Sequence, residues 1–183
     1  MARMARDDWL IQGLGRLSAM GHAGLRIEPM CEDLGKTKGS FYHHFRDYRD
    51  FADAVLDLWR ALSADAMAEV VALTQGEDQA GGRLNQLTAL LDHELERAVR
   101  GFAAVDEGAA EALASVDQGR IGHLAARNRD DLNLSPDAAV ILAEIEYAAF
   151  VGAQALWTDT TDERHDRTGA LIDAMVRRAA KRG

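Results

Sequence analysis

The sequence is poor in several features, and each shortage excludes something. One of its 183 residues is cysteine, Cys31, so no disulfide can close within the chain and no oxidising compartment is implied. The longest run without a charged residue, Tyr147 to Thr158, is twelve residues long, whereas a membrane-spanning helix needs about 18–20. Near the N-terminus Asp7 and Asp8 stand where a secretory signal would place apolar residues. Prolines number two, Pro29 and Pro136, and alternation of β-branched or aromatic residues is scarce, so strands are not expected. A soluble, cytoplasmic protein with no membrane partner is the expectation.

Alanine and leucine dominate what remains, with apolar residues recurring at three- and four-residue spacing, as in helices that bury one face. Leu84, Leu87, Leu91, Leu95 and Ala98 form one such face. Breaks fall at Gly21–Gly24, at Gly35, at 74–82, at 133–136 and at 158–162. Ser135-Pro136 is a helix start, a capping hydroxyl followed by proline in the first turn. The pattern predicts an all-α fold of about nine helices, over 5–20, 27–34, 38–44, 48–73, 83–100, a short one near 102–106, 108–132, 136–157 and 162–181. The last ends in a basic cluster, Arg177, Arg178, Lys181 and Arg182, which suits a helix C-terminus.

The net charge of −9 is unevenly placed. Residues 1–60 hold nine Lys/Arg and nine Asp/Glu, whereas residues 61–183 hold twelve Lys/Arg and twenty-one Asp/Glu. Charges beyond a screening length of about 8 Å barely act on a contact surface, so an acidic body is compatible with a neutral or locally basic head.

Residues 27–44 carry the sharpest signal. Two helices of seven or eight residues are marginal alone and need tertiary support. Joined by a short turn containing Gly35, they make a helix-turn-helix, whose second helix fits the major groove of DNA. Gly35 supplies the left-handed turn conformation, and Thr37 is placed to cap the second helix. Phe41 and Phe45, four apart, should face inward, leaving Lys38, Ser40, Tyr42 and His43 outward.

At Thr37-Lys38-Gly39-Ser40-Phe41-Tyr42-His43-His44-Phe45 the chain strongly resembles the TetR family of transcriptional regulators. Gly21 and Gly24 closing the first helix, and Asp50-Phe51-Ala52-Asp53-Ala54-Val55 opening the fourth, fit as well, so the resemblance covers about residues 10–58. It implies a homodimer whose two heads read a palindromic operator in double-stranded DNA, and a helical body that binds a small-molecule effector. The DNA-binding domain would be residues 1–50, continuing into the long fourth helix, and the ligand-binding and dimerisation domain residues 51–183. The DNA-binding candidates are Arg26, Thr37, Lys38, Gly39, Ser40, Tyr42, His43, Tyr48 and Arg49.

Two positions depart from the family pattern. Where the second helix usually opens with Ser or Thr, this chain has Arg26-Ile27-Glu28, and Glu28 would repel a nearby phosphate. Where the fourth helix usually opens with lysine, Tyr48 stands, able to donate a hydrogen bond but adding no charge. Modest DNA affinity and a salt slope no steeper than about six per dimer are therefore expected.

The stretch from Ala138 to Trp157 is apolar almost all round, and such a helix must be covered on both sides. Ala149, Gly152, Ala153 and Trp157, with Leu171, Ile172, Met175 and Val176 of the last helix, are the expected dimer interface. The pocket candidates, which the resemblance draws from the fourth to eighth helices, are Trp59, Leu87, Leu91, His93, Phe102, His123, Tyr147 and Phe150.

Catalysis is not expected. No histidine follows a glutamate by three residues, the nearest case being Asp162 before His165, and there is no phosphate loop, Cys/His cluster or nucleophile elbow. No metal and no cofactor are expected. The competing reading is a helical, dimeric interaction module whose DNA binding is weak or lost, favoured by Glu28, Tyr48 and the neutral head.

Overall fold

The computed structural model describes residues 5–74, 91–157, 159 and 163–180. Among them are eight α-helices and no strand. They are α1 (Arg6–Met20), α2 (Ile27–Asp33), α3 (Lys38–Tyr42), α4 (Tyr48–Thr74), α5 (His93–Ala103), α6 (Glu107–Leu132), α7 (Pro136–Leu156) and α8 (Glu163–Ala180), with a 3-10 turn, Gly21–Leu25, after α1. The all-α expectation holds. Leu84, Leu87 and the start of the helix expected at residue 83 lie outside the described residues, as do Lys181 and Arg182 and the side chains of Val176 and Arg177.

The separate short helix expected near 102–106 does not form. Phe102 and Ala103 finish α5, and the Val105 amide donates to the Phe102 carbonyl at 3.0 Å in the turn that follows. Asp106 then caps α6, its Oδ1 accepting from the Ala109 amide at 2.9 Å. A side chain that satisfies the next helix's first amides ends any helix running into it.

The chain divides into two compact units, Met1–Ser63 with Glu94–Ala114, and Ala64–His93 with Ser115–Gly183. In the first, α1 buries Trp9, Leu10, Leu14 and Leu17. It lies close on α4 at Gly13, where a Cβ would stand 2.7 Å from Val55 Cγ2 and 2.8 Å from Phe51 Cζ. Arg16 of α1 donates from Nε to the Gly24 carbonyl at 2.7 Å and pairs with Asp33 of α2, tying the 3-10 turn and α2 to α1. The first turn of α4 is capped by Asp47, whose Oδ1 accepts from the Asp50 amide at 2.8 Å.

In the second unit α6 and α7 share a core of Leu124, Ala125, Ala143, Tyr147 and Phe150, flanked by Met67, Leu91, Ile121, Val151 and Ile172. Asn133, at φ 52°, turns the chain between the two helices. Ser135 caps α7 by accepting from the Ala138 amide at 3.3 Å, as Ser135-Pro136 predicts. Polar groups are buried here in pairs: Asn128 Nδ2 donates to Glu146 at 2.7 Å, and Gln154 Nε2 lies 3.2 Å from His93 Nδ1. The Tyr147 hydroxyl donates to Asp117 at 2.7 Å and receives from Arg120 at 3.3 Å. By length and composition α7 could cross a membrane, yet Glu146 and Gln154 sit on its buried side.

Candidate nucleic-acid interface

The turn between α2 and α3 is closed by two reversed hydrogen bonds. The Lys36 amide donates to the Cys31 carbonyl at 2.8 Å and the Gly35 amide to that of Glu32 at 3.0 Å. This pair of bonds needs a left-handed residue just past the helix end, and Gly35 provides it at φ 58°. Thr37 then caps α3, its Oγ1 accepting from the Ser40 amide at 3.2 Å.

A five-residue helix cannot hold itself. Four aromatic rings hold α3. Phe41 meets Trp9 of α1 edge-on at 5.5 Å, Phe51 of α4 at 5.2 Å and Phe45 at 5.1 Å, and Phe45 meets Phe51 at 5.0 Å. Phe41 and Phe45 are fully buried, as their spacing predicts. Such ring pairs add about 0.5–1.5 kcal/mol each beyond the area they bury.

With that face fixed, the opposite face of α3 is open. Lys38, Gly39, Tyr42 and His43 are exposed and Ser40 half-buried; Thr37, just ahead of it, is exposed. Lys38 and Tyr42 join Arg26, Ile27, Glu28, Pro29 and Tyr48 in lining one open concavity. Four predicted positions, Arg26, Lys38, Tyr42 and Tyr48, are therefore brought together. Burial and the Asp106 charge raise the Tyr48 phenol above its ordinary pKa.

Two features of this face were missed in the sequence. The first is that Glu28 is not isolated, because Lys38 of α3 donates to it across the turn. That bond and the nearby ammonium charge hold the Glu28 carboxyl below its usual range, and the carboxylate in turn raises Lys38. The second concerns Arg49. Its guanidinium pairs with Asp53 one turn along α4 and donates from Nη1 to Asp106 Oδ2 at 2.7 Å. Arg49, a predicted DNA-binding residue, thus already has two carboxylate partners, of which Asp106 ties α4 to the start of α6. The Arg49/Asp53 spacing was readable as a helical ion pair; Asp106, 57 positions away, was not.

Two solved structures resemble this arrangement across nearly the whole chain. One is described as a TetR-family transcriptional regulator from Rhodococcus sp., at TM-score 0.60 and 21% identity, covering 93% of this chain and 97% of that one. The other is the reduced form of NemR from E. coli, at TM-score 0.60 and 22% identity, covering 94% and 95%. The chain has a TetR-type fold. No family model matches the sequence, and no curated protein matches it.

Within this TetR-type fold the predicted effector residues fall into both units. In the first, the Trp59 indole donates to buried Glu96 at 3.2 Å, and Phe102 stacks on His22 at 5.8 Å between ring centres. In the second, Leu91, Tyr147 and Phe150 meet in the α6–α7 core, with the His93 ring 6.4 Å from that of Phe150. His123 is half-buried, its Nε2 has no hydrogen-bond partner among the described residues, and burial lowers its pKa. Leu87 lies outside the described residues.

Of the predicted interface, Leu171 and Met175 stand 61% and 63% exposed on α8. Ala149 and Gly152 are half-buried and Ala153 is buried. Half-buried Trp157 is capped by the Arg164 guanidinium, 5.3 Å from its ring. Ile141, Ile145 and Leu156 of α7 are also largely exposed, and the four-residue spacing of the two isoleucines marked them as one face. Among the described residues no group of three His, Cys, Asp or Glu is placed to hold a metal ion.

Proposed function

We propose that this chain is a ligand-responsive, DNA-binding transcriptional regulator: a homodimeric repressor released from a palindromic operator by a small molecule. The observation that carries the reading is α3, a short helix locked from beneath by Phe41 and Phe45 with Lys38 and Tyr42 turned outward. The likeness of fold to TetR-type structures supports it. Residues 1–50 would meet DNA: Arg26, Tyr42 and Tyr48 at phosphates, Lys38 at a phosphate or, beside Glu28, at a base edge, Ser40 and His43 at base edges or backbone, and Gly39 allowing close approach. Thr37 orders the helix start, and Arg49 acts through α4.

Residues 51–183 would bind the effector and dimerise. The exposed apolar face of α7 and α8, including Ile141, Ile145, Leu171 and Met175, is the surface a second copy would cover. An effector that prefers a conformer whose heads sit out of register with major grooves about 34–36 Å apart shifts the population off the operator.

The test is gel retardation on DNA flanking the protein's own gene. The double variant Lys38→Ala/Tyr42→Ala should lose operator binding by about a hundredfold or more while remaining a dimer by light scattering. Unchanged binding would remove α3 from the interface. One observation favours a second reading, a dimeric interaction module with weak or lost DNA binding: Glu28 already neutralises Lys38 on the very face in question. A folded wild-type dimer that retards no duplex at low salt would establish that reading instead.

A further inference from the structure

Glu28 is the residue the DNA-binding reading leaves unexplained. It stands on the face proposed to meet DNA, where a carboxylate opposes every phosphate around it. Stability does not account for it. The side chains of Lys38 and Glu28 are 55% and 66% exposed, and an exposed ion pair contributes little to stability. Nor does capping, because the α2 cap position is Arg26, and among the described residues no side-chain hydrogen bond caps that helix.

What the pair does have is a defined order. Lys38 comes from α3 and Glu28 from the first turn of α2, so the turn at Gly35 places a cation donor and an anion acceptor side by side, bonded to each other, in one concavity. The major-groove edge of a G·C pair carries the complementary order. Guanine O6 and N7 accept, and the neighbouring cytosine N4 donates. A lysine can bond the first and a glutamate the second without either being stranded.

We propose that Glu28 is a specificity-determining residue: together with Lys38 it reads one G·C base pair in each half-site, Lys38 donating to guanine and Glu28 accepting from the cytosine N4 amine. This deepens the DNA-binding reading and rests on it. The carboxylate lowers affinity for DNA in general and returns it at a single base pair, so Glu28 exchanges strength for discrimination. Loss of the carboxylate therefore frees Lys38 for phosphate.

The experiment is selection from a randomised duplex pool with full-length wild type, Glu28→Ala and Glu28→Gln. Circular dichroism and light scattering establish that each remains folded and dimeric, as expected for an exposed position. Wild type should enrich duplexes with a fixed G·C pair at equivalent places in two half-sites. Glu28→Ala should lose about tenfold or more of the discrimination at that position alone, bind unrelated duplexes more tightly, and steepen the salt slope by about two per dimer. Glu28→Gln should move the preference from cytosine to adenine, which glutamine reads, with thymine O4 accepting from Lys38 in place of guanine. If wild type selects an operator and Glu28→Ala selects the same one at every position, Glu28 only neutralises Lys38, and this inference fails by itself. Should wild type enrich nothing, the DNA-binding reading fails and takes this one with it.

Discussion

The two units of this chain are built from different materials. The first packs large rings around one short helix, with Phe41, Phe45 and Phe51 in mutual contact, Trp9 edge-on to Phe41, and Gly13 letting α1 close on α4. The second packs small residues, Ala125 and Ala143 among them, and buries Asn128, Glu146 and Gln154 beside the rings of Tyr147 and Phe150. An aromatic cluster fixes one geometry, because rings of that size interlock in few ways. A core with buried polar pairs keeps its order only while each pair is satisfied. The first construction suits a rigid projection; the second depends on packing and polar pairing together.

The sharpest way to break this comparison is to remove the ring at its centre. Phe41→Ala should cost about 3–5 kcal/mol, read as a lowered urea midpoint in the fluorescence of the buried indoles Trp9 and Trp59. The half-buried indole Trp157 reports on the second unit. A loss below about 1 kcal/mol would mean that α3 is held by something other than the ring cluster.

The counterpart in the second unit is alkaline. Burial, with the hydrogen bond to Asp117, pushes the Tyr147 phenol up to about 12 from an ordinary 10.0, against the opposing Arg120 charge. A folded-state pKa raised above the unfolded value means that the neutral form is favoured by folding. The stability it brings is therefore whole below about pH 10 and lost as pH rises from 10 towards 12. A shift of that size corresponds to about 2–3 kcal/mol. Stability of the wild type should fall across that window, and Tyr147→Phe should flatten the fall while lowering stability at pH 8. An equal fall in both proteins would place the alkaline loss elsewhere.

How much of this could be read beforehand follows from how local each signal is. Gly35, Thr37, Phe41 and Phe45 act within ten residues of one another, and the turn, the cap and the inward rings emerge as their spacing predicts. The Glu28–Lys38 pair is nearly as local, but seeing it required knowing that the turn folds α2 back beside α3. The pocket candidates were the least legible. Trp59 and Phe102 belong to the first unit, whereas Leu91, His93, Tyr147 and Phe150 belong to the second, a division set by long-range packing that periodicity does not encode. The short helix expected near 102–106 failed for a nearer reason: Asp106 reads as one more polar helix residue until its capping bond is seen.

Asp106 also gives the smallest and most discriminating test, because it asks whether residues 94–114 belong energetically to the head. Its two oxygens serve different elements, Oδ1 capping α6 through Ala109 and Oδ2 accepting from Arg49 of α4. Burial alone would raise its carboxyl; the Arg49 bond and the amides of Ala109 and Gly108 outweigh this and hold it below the ordinary 3.8. A lowered folded pKa contributes stability that is present above 3.8 and is lost as pH falls through the lower value. Asp106→Ala should cost about 1–2 kcal/mol at neutral pH, mostly the lost cap and charge-assisted bond. Asp106→Asn, able to cap but not to neutralise Arg49, should recover part of that loss. If the aromatic transition of Trp9 and Trp59 moves with the α6 cap in both variants, the head extends from α1 through the first turns of α6. If it stays in place while helicity is lost, the head ends within α4, and the Arg49–Asp106 pair is a surface contact without consequence for α3.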